Sequence, residues 1–160
     1  MTYKHNGLTV GLQPLADTST VQNHGIGTRT KGYSSTYGEG EFIYLKGVAG
    51  TDIGEVVIYD EYANTTALTV AGSRGPVAVA MSANVASQYG WYQISGAAVV
   101  KAGTVVAGGA VYLTATAGSI DDAVVATDKV DGARVKTADG TPSAGFAVVM
   151  LDRPAANGNG

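Results

Sequence analysis

Cysteine is absent from the 160 residues of this chain, which excludes a disulfide framework, a thiolate metal site and a cysteine nucleophile. Charge is scarce as well. Asp, Glu, Lys and Arg make up 14% of the sequence, against about 25% in an average soluble domain. The 10 basic and 13 acidic residues give a net charge of −3, which is not the balance of a nucleic-acid binder. Long apolar runs are also missing. The longest, such as Ala97 to Val100 and Ala147 to Leu151, fall far short of the roughly 20 residues of a membrane-spanning helix, so no membrane association is expected. The opening Met1-Thr2-Tyr3-Lys4-His5-Asn6-Gly7 lacks the apolar stretch of a secretory signal, and export by that route is not expected.

What the chain does have is glycine, 23 residues of it, roughly twice the usual share of about 7%. The length suits one domain with a single core. Residues 1 to 40 are dominated by Gly, Ser, Thr, Asn and Gln and show neither the 3.6 nor the 2.0 apolar period. They read as an extended N-terminal arm, flexible in isolation, whose ordering would need contacts with neighbouring chains. From Glu41 onward short β-rich runs alternate with turn residues, which predicts an all-β fold, a small barrel or sandwich, over residues 41 to 154. The expected strands are Glu41 to Lys46, Glu55 to Tyr59, Ala67 to Val70, Val77 to Met81, Trp91 to Ser95, Ala97 to Lys101, Ala110 to Thr114, Arg134 to Thr137 and Phe146 to Asp152. One short helix is expected, over Ser82 to Gln88. Residues 155 to 160 read as a flexible tail.

A faint duplication suggests two similar halves. Ala49-Gly50-Thr51 overlays Ala102-Gly103-Thr104, and Ile58-Tyr59 then falls on Val111-Tyr112, a displacement of 53. Gly75 to Met81 resembles Gly145 to Leu151 at a displacement of 70, which would place a 17-residue insertion in the acidic stretch Ser119 to Gly140. The charge map is uneven too. The 58 residues from Ala63 to Ile120 contain only Arg74 and Lys101 as charged side chains, whereas a free domain interleaves both signs over its surface. Coverage by other subunits would account for this, since bare and uncharged strand edges invite association. A surface made polar by Ser, Thr, Asn, Gln and Tyr is the alternative.

No catalytic constellation stands out. His5 and His24 both lie in the arm, where nothing would fix a tautomer for general-base work. Asp60-Glu61 and Asp121-Asp122 are adjacent pairs, which point to opposite faces in a strand and to water in a turn. The acidic stretch lacks the ligand series of a calcium loop, and the doublets Gly25-Ile26-Gly27 and Gly38-Glu39-Gly40 lack the lysine and helix start of a phosphate cradle. No catalytic, metal or cofactor site is therefore expected. Trp91, the single tryptophan, stands with Tyr92 and Tyr44 as a candidate core or subunit-interface anchor; a sugar-stacking platform at Trp91, Tyr92 or the Tyr33 to Tyr37 turn is the alternative.

The run from Gly38 to Gly50, followed by Gly75-Pro76-Val77-Ala78-Val79-Ala80 and Gly90-Trp91-Tyr92-Gln93-Ile94-Ser95-Gly96, resembles small structural proteins encoded among tailed-bacteriophage head genes. The preceding stretch Asp17-Thr18-Ser19-Thr20-Val21-Gln22-Asn23-His24-Gly25-Ile26-Gly27-Thr28 is similar to the segment before their β domain. Many such proteins are capsid decoration, or cement, proteins. The resemblance implies a non-enzymatic virion protein on the outer capsid surface that bridges neighbouring major capsid protein subunits. It also implies a homo-oligomer, with a trimer favoured, and capsid contact through the arm residues Asp17, Ser19, Gln22, His24, Thr28 and Arg29. A tail or head-to-tail connector subunit, or a glycan-binding surface module, is the alternative role.

Overall fold

The computed structural model describes residues 3–5, 11–48 and 50–157, and alternating apolar runs and glycine-rich turns give strands and no helix among them. Twelve strands occur among them: β1 (Lys4–His5), β2 (Thr18–Ser19), β3 (Arg29–Ser34), β4 (Gly38–Lys46), β5 (Val56–Tyr59), β6 (Thr66–Leu68), β7 (Gly75–Ala80), β8 (Tyr89–Lys101), β9 (Ala110–Leu113), β10 (Ile120–Asp121), β11 (Lys129–Val135) and β12 (Phe146–Ala156). All are joined in one antiparallel hydrogen-bonded network. The expected all-β fold is the observed one.

The pairing rolls this network into two rings. In the first, β4 pairs with β8, β8 with β7, β7 with β5 and β5 with β6. A short parallel bridge from Thr65 to Lys46 returns the circuit to β4. In the second, β8 pairs with β12, β12 with β11, β11 with β9 and β9 with β10, and the bridge from Ile120 to Ala102 closes it. The order of connection is the same in both, and β8 is the last strand of the first ring and the first of the second. Tyr59↔Thr66 in the first ring corresponds to Leu113↔Ile120 in the second, both residues displaced by 54.

The two similar halves are therefore present, but the expected alignment needs correction. β7 pairs with β5 as β11 pairs with β9, so β7 matches β11 and not the Gly145 to Leu151 segment. The stretch Ser119 to Gly140 is no insertion, because it supplies β10 and β11, the counterparts of β6 and β7. Gly-, Ala- and Val-rich strands look alike in sequence, whereas hydrogen-bond partners do not.

Each ring has its own core. Ile43, Leu45, Val57, Ala78, Ala80, Tyr92 and Ile94 fill the first. The larger second core includes Val100, Val111, Leu113, Ile120, Val130, Val149 and Leu151. Val56, Val77 and Val79 belong to the second core although their strands wall the first. β5 and β7 are thus apolar on both faces, which is why Val-Val-Ile and Val-Ala-Val-Ala run without polar alternation. Burial on this scale contributes about 1.5–3 kcal/mol per large side chain.

Three sequence expectations fail. Trp91 to Ser95 and Ala97 to Lys101 are one thirteen-residue strand, not two; Gly96, at φ +90°, lets it pass from one ring to the next without breaking. Ser82 to Gln88 is not a helix. Asn84 is held by a backbone bridge to Thr51, its side chain donates to the Tyr92 hydroxyl at 2.8 Å, and Ser87 turns through φ +66°. Burial of the asparagine outweighs the helix preference of the alanines around it.

The arm boundary at residue 40 also fails, because it falls inside the β3–β4 hairpin, paired from Arg29↔Ile43 to Ser34↔Gly38. Tyr3 and Leu15 are buried against Phe42, Tyr44, Met81 and Trp91 on the outer face of the first ring. The described N-terminal residues pack on the chain's own aromatic face. At the other end Ala155 and Ala156 belong to β12, and residues 158–160 of the expected tail lie outside the described residues.

A Cβ on Gly96 would meet the Glu39 carbonyl oxygen, while one on Gly72, also at positive φ, would meet nothing. Gly96→Ala is expected to lower stability by about 3 kcal/mol or more and Gly72→Ala by about 1 kcal/mol. Urea unfolding of both variants measures the difference.

Candidate functional site

The polar segment from Gly11 to Thr28 crosses the outer face of β4 and β8, and Gln13 fastens it there. Its main-chain N–H donates to His24 Nε2 at 3.0 Å, and its carbonyl accepts from Trp91 Nε1 at 2.9 Å and from His5 Nε2 at 2.9 Å. Its side-chain amide donates to the carbonyls of Asp17 (2.8 Å) and Tyr89 (3.2 Å). Its Oε1 accepts from the Tyr44 hydroxyl and from Asn23 Nδ2, both at 2.9 Å. Every donor and acceptor of a nearly buried glutamine is thereby satisfied.

Aromatic rings surround this knot. His24 lies 5.0 Å from Tyr44 and 5.6 Å from Trp91, centre to centre, and His5 lies 5.7 Å from Trp91. Tyr44 and Trp91 are 5.0 Å apart, and Tyr89 stacks on Tyr44 at 6.3 Å. A carbonyl can only accept, so His5 carries its proton on Nε2; an N–H can only donate, so His24 Nε2 is bare and its proton sits on Nδ1.

Of the residues singled out by sequence, the fold brings His24, Tyr44 and Trp91 together. Tyr92 points the other way, into the first ring, where its hydroxyl meets Asn84. Trp91, Tyr92 and Tyr44 are all fully buried, so neither Trp91 nor Tyr92 offers a stacking face for a sugar. Asp17 and Ser19 border an open groove of about 540 Å³, with Gly11, Pro14, Thr18 and Asn23. Gln22 and Thr28 are exposed. Arg29 starts β3 and is exposed, and its charge acts on the Tyr59 hydroxyl. Gln13 was not legible in advance, since one glutamine in a polar segment carries no signal. The flanking Leu12 and Leu15 were the only hint of a buried turn.

The arrangement holds groups in place and offers no free base. His24 Nε2 is occupied by a backbone N–H, and His5 bonds Gln13 through one nitrogen and faces Thr30 Oγ1 at 3.4 Å through the other. The acidic stretch is likewise engaged. Asp121, Asp122, Asp128 and Asp139 accept from the N–H groups of Ala123, Val106, Gly72 and Val105, and Asp131 faces Lys129 and Asn157. Asp60 accepts from the N–H groups of Ala63 and Tyr62, which holds its carboxyl below the usual range. Among the described residues no three His, Asp or Glu side chains converge on a point.

No protein-family model matches the chain, and no curated protein shows significant sequence similarity to it.

Truncating Gln13 strands the buried Tyr44 hydroxyl and two carbonyls. Gln13→Ala is expected to lose about 1–3 kcal/mol, read as a lower urea midpoint at unchanged slope. Burial also pushes the hydroxyls of Tyr3, Tyr44, Tyr59 and Tyr92 above their ordinary value of 10.0. The unfolded chain ionises first as pH rises past about 10, so the stabilisation present below that pH is lost above it. Urea midpoints are expected to hold from pH 8 to about 10 and to fall beyond.

Proposed function

We propose that this chain is a capsid decoration protein of a tailed bacteriophage, binding the outside of an assembled shell and tying neighbouring major capsid protein subunits together. The observation that carries the reading is the distribution of charge. The stretch from Ala63 to Ile120, from the β5–β6 turn of the first ring to β10 of the second, has two charged side chains. One of them, Lys101, is already paired with Glu55 at 2.6 Å within the chain. β7 and β8 lie largely in the cores, but the residues of the stretch that are exposed include only Arg74 as a charged side chain, and a face so poor in ions suits contact with other subunits. Exposed Val70 on the β6–β7 loop of the first ring and Val106, Val124 and Val125 on loops of the second add apolar area to it. The resemblance of Gly38 to Gly50 and Gly90 to Gly96 to phage head-gene products agrees with this reading, as does a histidine-flanked knot with no free base.

In this role the body supplies rigidity and the groove beside Asp17 and Ser19, with the exposed Gln22 and Arg29 nearby in sequence, supplies polar contact. Each copy adds one specific contact of about 1,000 Å² or more. Many copies on one shell turn modest affinities into firm retention. A closed trimer of the chain would protect strand edges and match a three-fold position. No nucleic acid, membrane or cofactor takes part.

Cryo-electron microscopy of expanded shells of the cognate major capsid protein, incubated with the chain, tests the reading. Ordered density at capsomer junctions is the expected result. Bare junctions overturn it, and density at the tail or neck instead assigns the chain to the connector. The combined variant Asp17→Ala, Gln22→Ala, Arg29→Ala is expected to bind shells about tenfold more weakly, about 1.4 kcal/mol, at unchanged thermal stability.

A further inference from the structure

His24 and His5 both hydrogen-bond the main chain of Gln13, but with opposite polarity. His5 donates through Nε2, and a second proton on its Nδ1 would simply turn toward Thr30 Oγ1, 3.4 Å away and able to accept. His24 accepts through Nε2, and a proton there would point an N–H at the Gln13 N–H. One histidine tolerates acid and the other does not.

We propose that His24 is an acid-release latch: protonation of its Nε2 breaks the bond to Gln13, and the segment from Gly11 to Thr28 lifts from the aromatic face of β4 and β8. The groups that face His24 do not compensate for the lost acceptor. On β4 it meets the Tyr44 ring and on β8 the Trp91 ring, both uncharged. Tyr89 stacks on Tyr44, with the Lys46 ammonium 6.0 Å from the Tyr89 ring, and His5 packs edge-on with Trp91. Asp17 belongs to the same segment and is tied to the knot through its main-chain carbonyl, which accepts from the Gln13 side-chain amide. Among the described residues no carboxylate is within ion-pair distance of His24. Imidazoles ordinarily titrate between about pH 5 and 8, while the ring cores hold no histidine. The segment therefore opens before the body unfolds, and the face it uncovers carries Phe42, Tyr44, Met81 and Trp91. The latch is independent of what the outer surface binds.

Trp91 is the only tryptophan and sits under the latch, so its emission reads the opening directly. Wavelength is the quantity to follow, because an imidazolium quenches indole intensity by itself. As the full-length chain is taken from pH 8 to pH 5, the emission maximum is expected to move to the red and acrylamide quenching to rise severalfold, with the far-ultraviolet circular dichroism unchanged. His24→Gln, whose amide oxygen accepts without titrating, is expected to abolish both changes, and His5→Gln to leave them. Hydrogen exchange of the unsubstituted protein gives a second reading that needs no variant. Peptides covering residues 11–24 are expected to lose protection in acid while those from Phe146 to Ala156 keep it. An unshifted wild-type emission, the same shift in His24→Gln, or a segment that stays protected as long as β12 does would each overturn the proposal.

Discussion

One strand serves as a wall of two rings, and most of the structure follows from that sharing. The first half of β8 pairs with β4 and its second half with β12, while β7 fills the fork where β8 and β12 diverge. Even-numbered residues from Tyr92 to Val100 face inward throughout, first into one core and then into the other. This requires a strand that bends without losing its alternation, and Gly96 supplies the bend. β5 and β7 are held between the cores and must be apolar on both sides. In the turns and loops, polar residues such as Asp60, Asp122 and Asp139 satisfy backbone groups.

The opposite face of β4 and β8 poses a different problem. Phe42, Tyr44 and Trp91 project from it, and left bare they would form an aromatic patch open to association. The chain covers them with its own N-terminal segment, which is too polar to be held by apolar burial alone. Gln13 resolves this by accepting hydrogen bonds from His5, Tyr44 and Trp91, donating to His24 and Tyr89, and bonding Asp17 and Asn23 of the segment itself. Such a cover is specific because each bond has a required polarity, and it is sensitive to protonation for the same reason. Its edge carries the groove at Asp17 and Ser19, so the elements proposed to meet a capsid rest on the element that shields the aromatic face.

The β class of the body was readable from residues such as Val56 to Tyr59 and Phe146 to Asp152, where composition and turn spacing agree with the final pairing. The strands missed lie in the N-terminal segment and the acidic stretch. Arg29 to Ser34 has one apolar side chain, Tyr33, and reads as loop; it becomes a strand because β4 beside it presents an unpaired edge. Ile120-Asp121 is too short to show any period. The helix expected over Ser82 to Gln88 followed local alanine preference, which a single buried Asn84 overrides through its bonds to Thr51 and Tyr92. The candidate site was half legible: Trp91, Tyr44 and His24 were marked by their rarity and chemistry, Gln13 by nothing.

By itself the sequence determined the absence of thiol chemistry, the all-β class, the approximate strands of the body and the uneven distribution of charge. These are properties of composition and of periods two residues long, and they need no knowledge of distant neighbours. Only the tertiary structure decided that β7 matches β11, that one strand spans both rings and that the polar N-terminal residues are part of the fold. Those outcomes depend on hydrogen bonds between residues dozens of positions apart, such as Gln13 with Trp91. Their partners are chosen by three-dimensional proximity, to which local pattern is blind.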